Sequence, residues 1–105
     1  MSAPDVERRI EQELQRLAGR LEALELDALE IESVPGRVDV LFEDGSRLIL
    51  SRQSATGQIW LAEPRGGWRF DERDGRWLCD KRGVELSAEL ERLIGEKLGA
   101  PVRLG

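Results

Sequence analysis

The chain has 105 residues, of which 40% are hydrophobic, and a net charge of −5; this predicts one globular domain over residues 1–105. It contains no histidine and one cysteine, which excludes an internal disulfide and argues against a zinc site and against catalysis by a histidine-activated nucleophile. Because no apolar run approaches the roughly 20 residues that span a bilayer, and the acidic N-terminus lacks the features of a secretory signal, we expect a cytoplasmic protein with no membrane partner.

The charge is unevenly distributed along the chain. Residues 1–44 hold 12 acidic and 5 basic residues, a net charge of −7, whereas residues 45–105 hold 9 acidic and 11 basic residues, a net charge of +2. An acidic first half disfavours nucleic acid and attracts cations or a basic protein surface.

The first predicted element is an amphipathic helix from about Pro4 to Leu24. Its apolar residues recur every three or four positions, so they form one stripe along the helix. They are Val6, Ile10, Leu14, Leu17, Leu21 and Leu24.

Six short strands are predicted next, because apolar and polar residues alternate between turn residues from about Leu29 to Cys79. Asp44-Gly45 and Asp74-Gly75 are strong hairpin signals. Strands that follow one another through short turns predict an antiparallel meander.

After Gly83 the period returns to that of a helix, with Gly99 placed as its C-terminal cap. One side of this helix is apolar, and the other side is predicted to carry the charged residues Glu89, Glu91, Arg92 and Glu96. The order of elements predicts an α+β fold, a two-layer sandwich with the N- and C-terminal helices packed on one face of an antiparallel sheet. The opposite sheet face is then open, and we expect Leu104 and Val102 in the tail to cover the gap between the helices.

The three tryptophans differ in their expected positions. Trp77 alternates with charged neighbours and is predicted to lie in the core, as is Cys79, whereas Trp68 follows two glycines and its face is not assigned. Trp60 lies between Ile59 and Leu61 in a strand with one wet face. The pattern alone leaves open whether Trp60 or its neighbours face the core.

Five short segments resemble, in order and spacing, the sheet of the frataxin family, specifically its bacterial branch, the CyaY proteins. The resemblance is densest from Glu43 to Gly83 and extends more loosely to both helices. The segments are Asp44-Gly45-Ser46, Ser51-Arg52-Gln53, Gln58-Ile59-Trp60-Leu61, Gly66-Gly67-Trp68-Arg69-Phe70-Asp71 and Trp77-Leu78-Cys79-Asp80.

This resemblance implies a regulator of iron–sulfur cluster assembly rather than an enzyme. In frataxins the tryptophan of the Gln-x-Trp segment is exposed and contacts the assembly machinery, which implies that Trp60 is a partner contact here. The polar residues expected around it on neighbouring strands are Arg52, Gln53, Gln58 and Arg69. The implied partners are the cysteine desulfurase and the iron–sulfur scaffold protein; donation of iron to the scaffold is the alternative role.

Carboxylates run from the end of the first predicted helix into the first strand: Glu22, Glu25, Asp27, Glu30 and Glu32. Clustered carboxylates without histidine suit hard cations, although a solvated acidic face is the better account of any single one of these side chains. Frataxins carry an acidic ridge here, which implies weak, surface-bound iron (Fe²⁺ or Fe³⁺) and docking to the desulfurase. Ala18-Gly19 stand where relatives have acidic pairs, so we expect iron binding weaker than in a typical member and no ferroxidase activity.

A more distant alternative is a sheet that binds single-stranded nucleic acid, because basic and aromatic residues interleave late in the chain. These are Arg65, Trp68, Arg69, Phe70, Arg73, Arg76 and Trp77. The low isoelectric point weighs against this alternative, so we expect no nucleic-acid partner. We also expect a monomer in the absence of metal.

Overall fold

The computed structural model of the protein describes residues 3–104. Six strands form one antiparallel sheet whose spatial order follows the sequence, from β1 at one edge to β6 at the other; this confirms the predicted meander. The elements are α1 (Ala3–Ala23), β1 (Leu29–Val34), β2 (Arg37–Phe42), β3 (Arg47–Gln53), β4 (Gln58–Glu63), β5 (Gly66–Arg73), β6 (Arg76–Cys79) and α2 (Leu86–Leu98).

Both helices pack on one face of the sheet, so the α+β sandwich is confirmed. The apolar stripe of α1 and that of α2 enter a single core with alternate residues of the strands. The two helices also touch through a hydrogen bond from the Arg16 guanidinium to the Ser87 hydroxyl, 3.0 Å long. Alternate side chains of each strand, such as Leu48 and Leu50 of β3, point to this helix-covered face, which leaves the other side of the sheet as an open face.

The turn between β5 and β6 shows why this hairpin could be predicted. Asp74 and Gly75 both have positive φ, 53° and 80°, as the central residues of a type I′ turn require. Glycine adopts this conformation without strain and aspartate tolerates it. The turn therefore fixes the register of β5 against β6 and brings Trp77 and Cys79 to the helix side, where both are buried as predicted.

The prediction that Glu89 lies on the polar side of α2 is wrong. Its side chain is only 3% exposed, because it follows Leu86 by three residues and precedes Leu93 by four and so lies on the apolar stripe. Arg82 and Arg92 donate hydrogen bonds to its carboxylate at 2.8 and 2.6 Å. Burial raises the pKa of the Glu89 carboxyl, but the two guanidinium groups outweigh burial and leave that pKa below its ordinary value.

The C-terminal tail is fixed to the core at its last described residue. α2 ends at Gly99, whose φ of 71° is left-handed, as predicted for a glycine cap. Leu104 is 1% exposed, and its backbone N–H donates a 2.7 Å hydrogen bond to the Glu91 carboxylate. Val102 is partly buried against the same core, so both tail residues contact it as expected.

Candidate functional site

The structure decides the orientation that the sequence pattern left open for Trp60. Its neighbours Ile59 and Leu61 are completely buried. Because successive side chains of a strand point to opposite sides, Trp60 lies on the open face, where it is partly exposed. Its cross-strand neighbours there are Ser51 on β3 and Arg69 on β5. The core position that the pattern also allowed for Trp60 is therefore excluded.

Polar contacts on both sides hold the Trp60 ring in place. Its indole N–H donates a 3.1 Å hydrogen bond to the Gln58 side-chain oxygen, and the Gln58 amide nitrogen donates in turn to Asp71 at 3.0 Å. The Arg69 guanidinium carbon lies 4.8 Å from the ring centroid, within the range of a cation–π interaction. The ring is thus oriented before any partner arrives.

A shallow hollow of about 260 Å³ lies beside this ring. Two small residues, Ala62 and Gly67, are paired across β4 and β5 at this point, so no side chain fills the space next to the indole. The residues lining the hollow are Ser51, Trp60, Leu61, Ala62, Gly67, Trp68 and Arg69. A partner's side chain inserted here would lie against an aromatic ring and a guanidinium group.

Two further polar residues predicted for this surface lie where they were expected. Gln53 pairs across the strands with Gln58, and its side-chain nitrogen lies 3.5 Å from the Ser51 hydroxyl. Trp60, Gln53, Gln58 and Arg69 therefore share the open face, and together with Ser51 they are called the Trp60 patch below.

Arg52 does not belong to the Trp60 patch, which corrects its predicted placement. It shares the alternation of Leu48 and Leu50 and so points to the helix-covered side. Its guanidinium donates a 2.8 Å hydrogen bond to Glu11 of α1, so it joins a helix to the sheet. The sequence contained this information, because a residue two positions after a buried strand residue faces the same way.

The predicted metal-binding carboxylates are exposed and divided between two sides of the molecule. Glu22, Glu25 and Asp27 border a shallow depression where α1 turns into β1, while Glu30 and Glu32 alternate with Leu29 and Ile31 and face the open side. Within residues 3–104, no three His, Cys, Asp or Glu side chains converge closely enough to hold a metal ion. These five carboxylates, called the acidic edge below, can offer an ion one or two ligands at a time.

The geometry disfavours the nucleic-acid alternative. Trp68, Phe70 and Trp77 belong to the helix-covered side and pack on or in the core, whereas Arg69 and Arg73 occupy the open face. Single-strand binders need aromatic rings and basic groups on the same surface, because the bases stack on the rings. Trp60 is the one ring on the open face of the described strands.

One open-face cluster was missed in the sequence. Asp39 is only 6% exposed and accepts hydrogen bonds of 2.7 and 3.0 Å from the Arg37 guanidinium. Arg47 approaches the same carboxylate at 3.5 Å. The alternation of β2 predicted that Asp39 faces outward, but nothing in the pattern indicated that two arginines from β2 and β3 would cover it.

No helix within residues 3–104 has the length and apolar character needed to cross a membrane.

The comparison with protein families gives a match to the frataxin-like domain over residues 1–100. Among curated proteins, the iron-sulfur cluster assembly protein CyaY of Azotobacter vinelandii is 45% identical over 73 residues, and that of Pseudomonas entomophila is 42% identical over 73 residues. Each match covers 68% of this chain and 66% of the relative, slightly less than two thirds of the relative's own length.

Solved structures share the fold. The frataxin from Psychromonas ingrahamii superposes with a TM-score of 0.92 over 100% of this chain and 99% of that chain, at 23% identity. The trimeric frataxin from the yeast Saccharomyces cerevisiae, complexed with ferrous iron, superposes with a TM-score of 0.77 over 87% of this chain and 86% of that chain, at 25% identity.

Proposed function

The chain belongs to the frataxin family, and from that premise we propose that it is an iron-binding regulator of iron–sulfur cluster assembly. In this proposal the protein binds the cysteine desulfurase through the Trp60 patch and the acidic edge. It acts in the cytoplasm and is a monomer until metal is present. The names of its curated relatives, which are iron–sulfur cluster assembly proteins, support the pathway.

The observation that carries the proposal is the outward orientation of Trp60. A tryptophan on an uncovered sheet face contributes little to the core, yet here it is fixed by Gln58 and Arg69. Large, pre-oriented aromatic side chains are the residues that most often anchor protein–protein interfaces. The hollow beside the ring gives such an anchor a complementary space for a partner's side chain.

The acidic edge supplies the second contact and the response to iron. Its carboxylates are hard oxygen ligands, and exposed carboxylates that bind one or two at a time hold a metal ion weakly, with water completing the shell. Iron is then a cargo or a signal rather than a fixed component. The ferrous complex of the yeast frataxin supports iron as the ion.

We propose no catalytic activity for this chain. The sequence has no histidine, so the commonest general base is missing. Its one cysteine is buried, away from both proposed binding surfaces. The regulator would therefore act by occupying a surface of the desulfurase and changing its rate.

Calorimetric titration of the host's cysteine desulfurase with the full chain tests the proposal. We expect binding that weakens at high salt and weakens at least about tenfold in Trp60→Ala, as expected for an interface anchor. A double variant, Glu22→Gln with Glu25→Gln, should also weaken binding. Its matched control is Asp74→Asn with Asp80→Asn, which removes two acidic charges near the β6 edge, the far side of the sheet from β1.

Two results would contradict the proposal. If Trp60→Ala binds as tightly as the original chain, the Trp60 patch is not the interface. If both double variants weaken binding equally, the effect is one of net charge and the acidic edge has no special role.

Iron donation to the scaffold protein is the second candidate, favoured by the ferrous complex of the yeast relative. It predicts that iron-loaded chain passes iron to the purified scaffold faster than free ferrous iron reaches it. An equal rate with and without the chain would exclude donation and leave regulation.

A further inference from the structure

The open face has a charge opposite to that of the whole protein. The outward-facing residues of β2 to β5 include four arginines and two aspartates, a net charge of +2, although the chain carries −5. The arginines are Arg37, Arg47, Arg69 and Arg73, and the aspartates are Asp39 and Asp71. Only at the margin formed by β1 does this face become acidic, with Glu30 and Glu32.

The arginine nearest to Trp60 has the donors to receive a carboxylate. Arg69 is exposed and stacks on the indole at 4.8 Å, and among residues 3–104 no carboxylate lies within ion-pairing distance of it. By contrast, Arg9, Arg52 and Arg82 on the helix-covered side each contact a carboxylate at 3.0, 2.8 and 2.8 Å. A stacked guanidinium keeps the N–H donors at its edge available for a bidentate contact.

A second guanidinium lies in the same cross-strand row. The register pairs Arg37 with Ser51, Ser51 with Trp60, and Trp60 with Arg69. With neighbouring strands about 4.8 Å apart, the two arginines are separated by roughly 14 Å at the backbone, with Trp60 between them. Two nitrogens of the Arg37 guanidinium donate to Asp39, which leaves its second terminal nitrogen as the donor for a partner's carboxylate. Arg47 shares the same Asp39 carboxylate, so this end of the row also keeps a positive excess.

We propose that the open face binds an acidic segment of a protein partner, with carboxylates received by Arg37 and Arg69 and an apolar side chain placed in the hollow beside Trp60. In an extended segment, residues i, i+2 and i+4 face the same side and span about 13 Å, which matches the row. The acidic edge would bind a basic surface of a partner, so the acidic edge and the open face would bind partner surfaces of opposite charge. This inference deepens the proposed function and rests on it only for the choice of this face as the binding surface.

The test uses short capped peptides of known charge, so it does not depend on the desulfurase. The acidic peptide is Glu-Ser-Leu-Ser-Glu, and its matched forms replace both glutamates by glutamine or by lysine. Binding to the full chain is followed by the NMR signals of the Trp60 indole and of the backbone along the row. We expect saturable shifts with the acidic peptide only, weakened by raising salt from about 50 to about 200 mM.

Variants of the chain separate a specific contact from general attraction. Arg69→Gln should weaken binding of the acidic peptide about tenfold, as expected for losing a charge-assisted, bidentate contact. Arg69→Lys keeps the positive charge but lacks the paired N–H donors of a guanidinium group, so its affinity for the acidic peptide should be intermediate. Arg73→Gln is the matched control, because it removes the same charge from β5 outside the row and should change affinity less than about twofold.

Several results would overturn the inference. One is that the lysine peptide binds as tightly as the acidic peptide. Another is that Arg69→Gln and Arg73→Gln lose the same affinity for the acidic peptide. The third is that no saturable shift appears at about 10 mM acidic peptide. A single-stranded RNA oligonucleotide that shifts the same signals at lower concentration would show that the face recognises phosphates rather than an acidic protein. If the peptide binds as expected but the desulfurase does not bind, the proposed partner is wrong and the chemistry of the face stands.

Discussion

Replacing Glu89 by glutamine should lower the free energy of unfolding by about 2 kcal/mol. The buried carboxylate accepts hydrogen bonds from Arg82 at 2.8 Å and from Arg92 at 2.6 and 3.2 Å. Glutamine has nearly the same shape but only one acceptor oxygen, so one guanidinium would face an amide NH₂ group. A hydrogen bond to a charged group contributes about 1 kcal/mol more to stability than a neutral one. The contacts of Arg82 and Arg92 would each lose this difference, which gives the total of about 2 kcal/mol.

Thermal and urea unfolding near neutral pH measure this effect. For a domain of this size, 2 kcal/mol corresponds to a melting temperature lower by about 8 °C. Glu96→Gln is the matched control, because Glu96 lies on the same helix and contacts the same Arg92 at 3.1 Å but is 50% exposed. An exposed pair contributes less than about 1 kcal/mol. If both variants lost equal stability, burial of the carboxylate would not be the reason.

The pH dependence provides an independent check of the same reasoning. The pKa of the Glu89 carboxyl is lowered in the folded protein, so between the folded and unfolded pKa values the unfolded chain binds more protons. The contribution of Glu89 is therefore complete above its unfolded pKa of about 4.3 and is lost as the pH falls through the folded pKa. The stability difference between the original chain and Glu89→Gln should shrink in acid, and a difference that grows there would refute the argument.

Three further predictions concern the core, the tail and one surface pair. In thermal unfolding, Trp60→Ala should lower the free energy of unfolding by about 1 kcal/mol, as expected for losing an exposed cation–π contact. Trp77→Ala should lower it by about 3 to 5 kcal/mol, as expected for truncating a core aromatic. Equal losses would contradict the assignment of the two rings to opposite faces of the sheet. Leu104→Ala should lower the melting temperature by several degrees, because it truncates a fully buried side chain, and an unchanged curve would show that the tail is detached in solution. Hydrogen bonds from Lys97 and Ser46 hold the pKa of the Asp44 carboxyl below its usual range, so Lys97→Met should raise that pKa in an NMR titration, and no change would exclude the Lys97 contact.

The layers of the fold were predictable because their signals are local. The apolar stripe of α1 has the period of a helix, and Asp74-Gly75 has the backbone conformation that a two-residue hairpin requires. Burial of Glu89 was also visible in principle, since its spacing from Leu86 and Leu93 places it on the apolar stripe. Its stabilisation was not visible, because Arg82 approaches from the loop after β6, and no local pattern specifies that approach.

The candidate site was less predictable, because it depends on which way each strand faces. Trp60 has apolar neighbours on both sides, so only the register with Ser51 and Arg69 decides its orientation. Arg52 was placed on the open face by resemblance to a family, although its alternation with Leu50 indicated the helix side. Arg37 of β2 and Arg47 of β3 both contact Asp39. The sequence did not indicate this cluster, because it depends on how β2 and β3 pair.

Arg69 differs in role from the arginines on the helix-covered side of the sheet. On the helix-covered side, Arg9 and Arg52 take part in ion pairs that join α1 to the sheet. Arg82 joins the loop after β6 to α2. On the open face, Arg69 stacks on Trp60 with its outer donors available. The chain as a whole is acidic, but an acidic segment that binds across the open face meets the positive excess of β2 to β5. Binding there should therefore fall about tenfold in Arg69→Gln, whose melting temperature should drop only by the few degrees expected for an exposed cation–π contact. Arg52 variants should alter the melting temperature and leave binding of the acidic peptide intact.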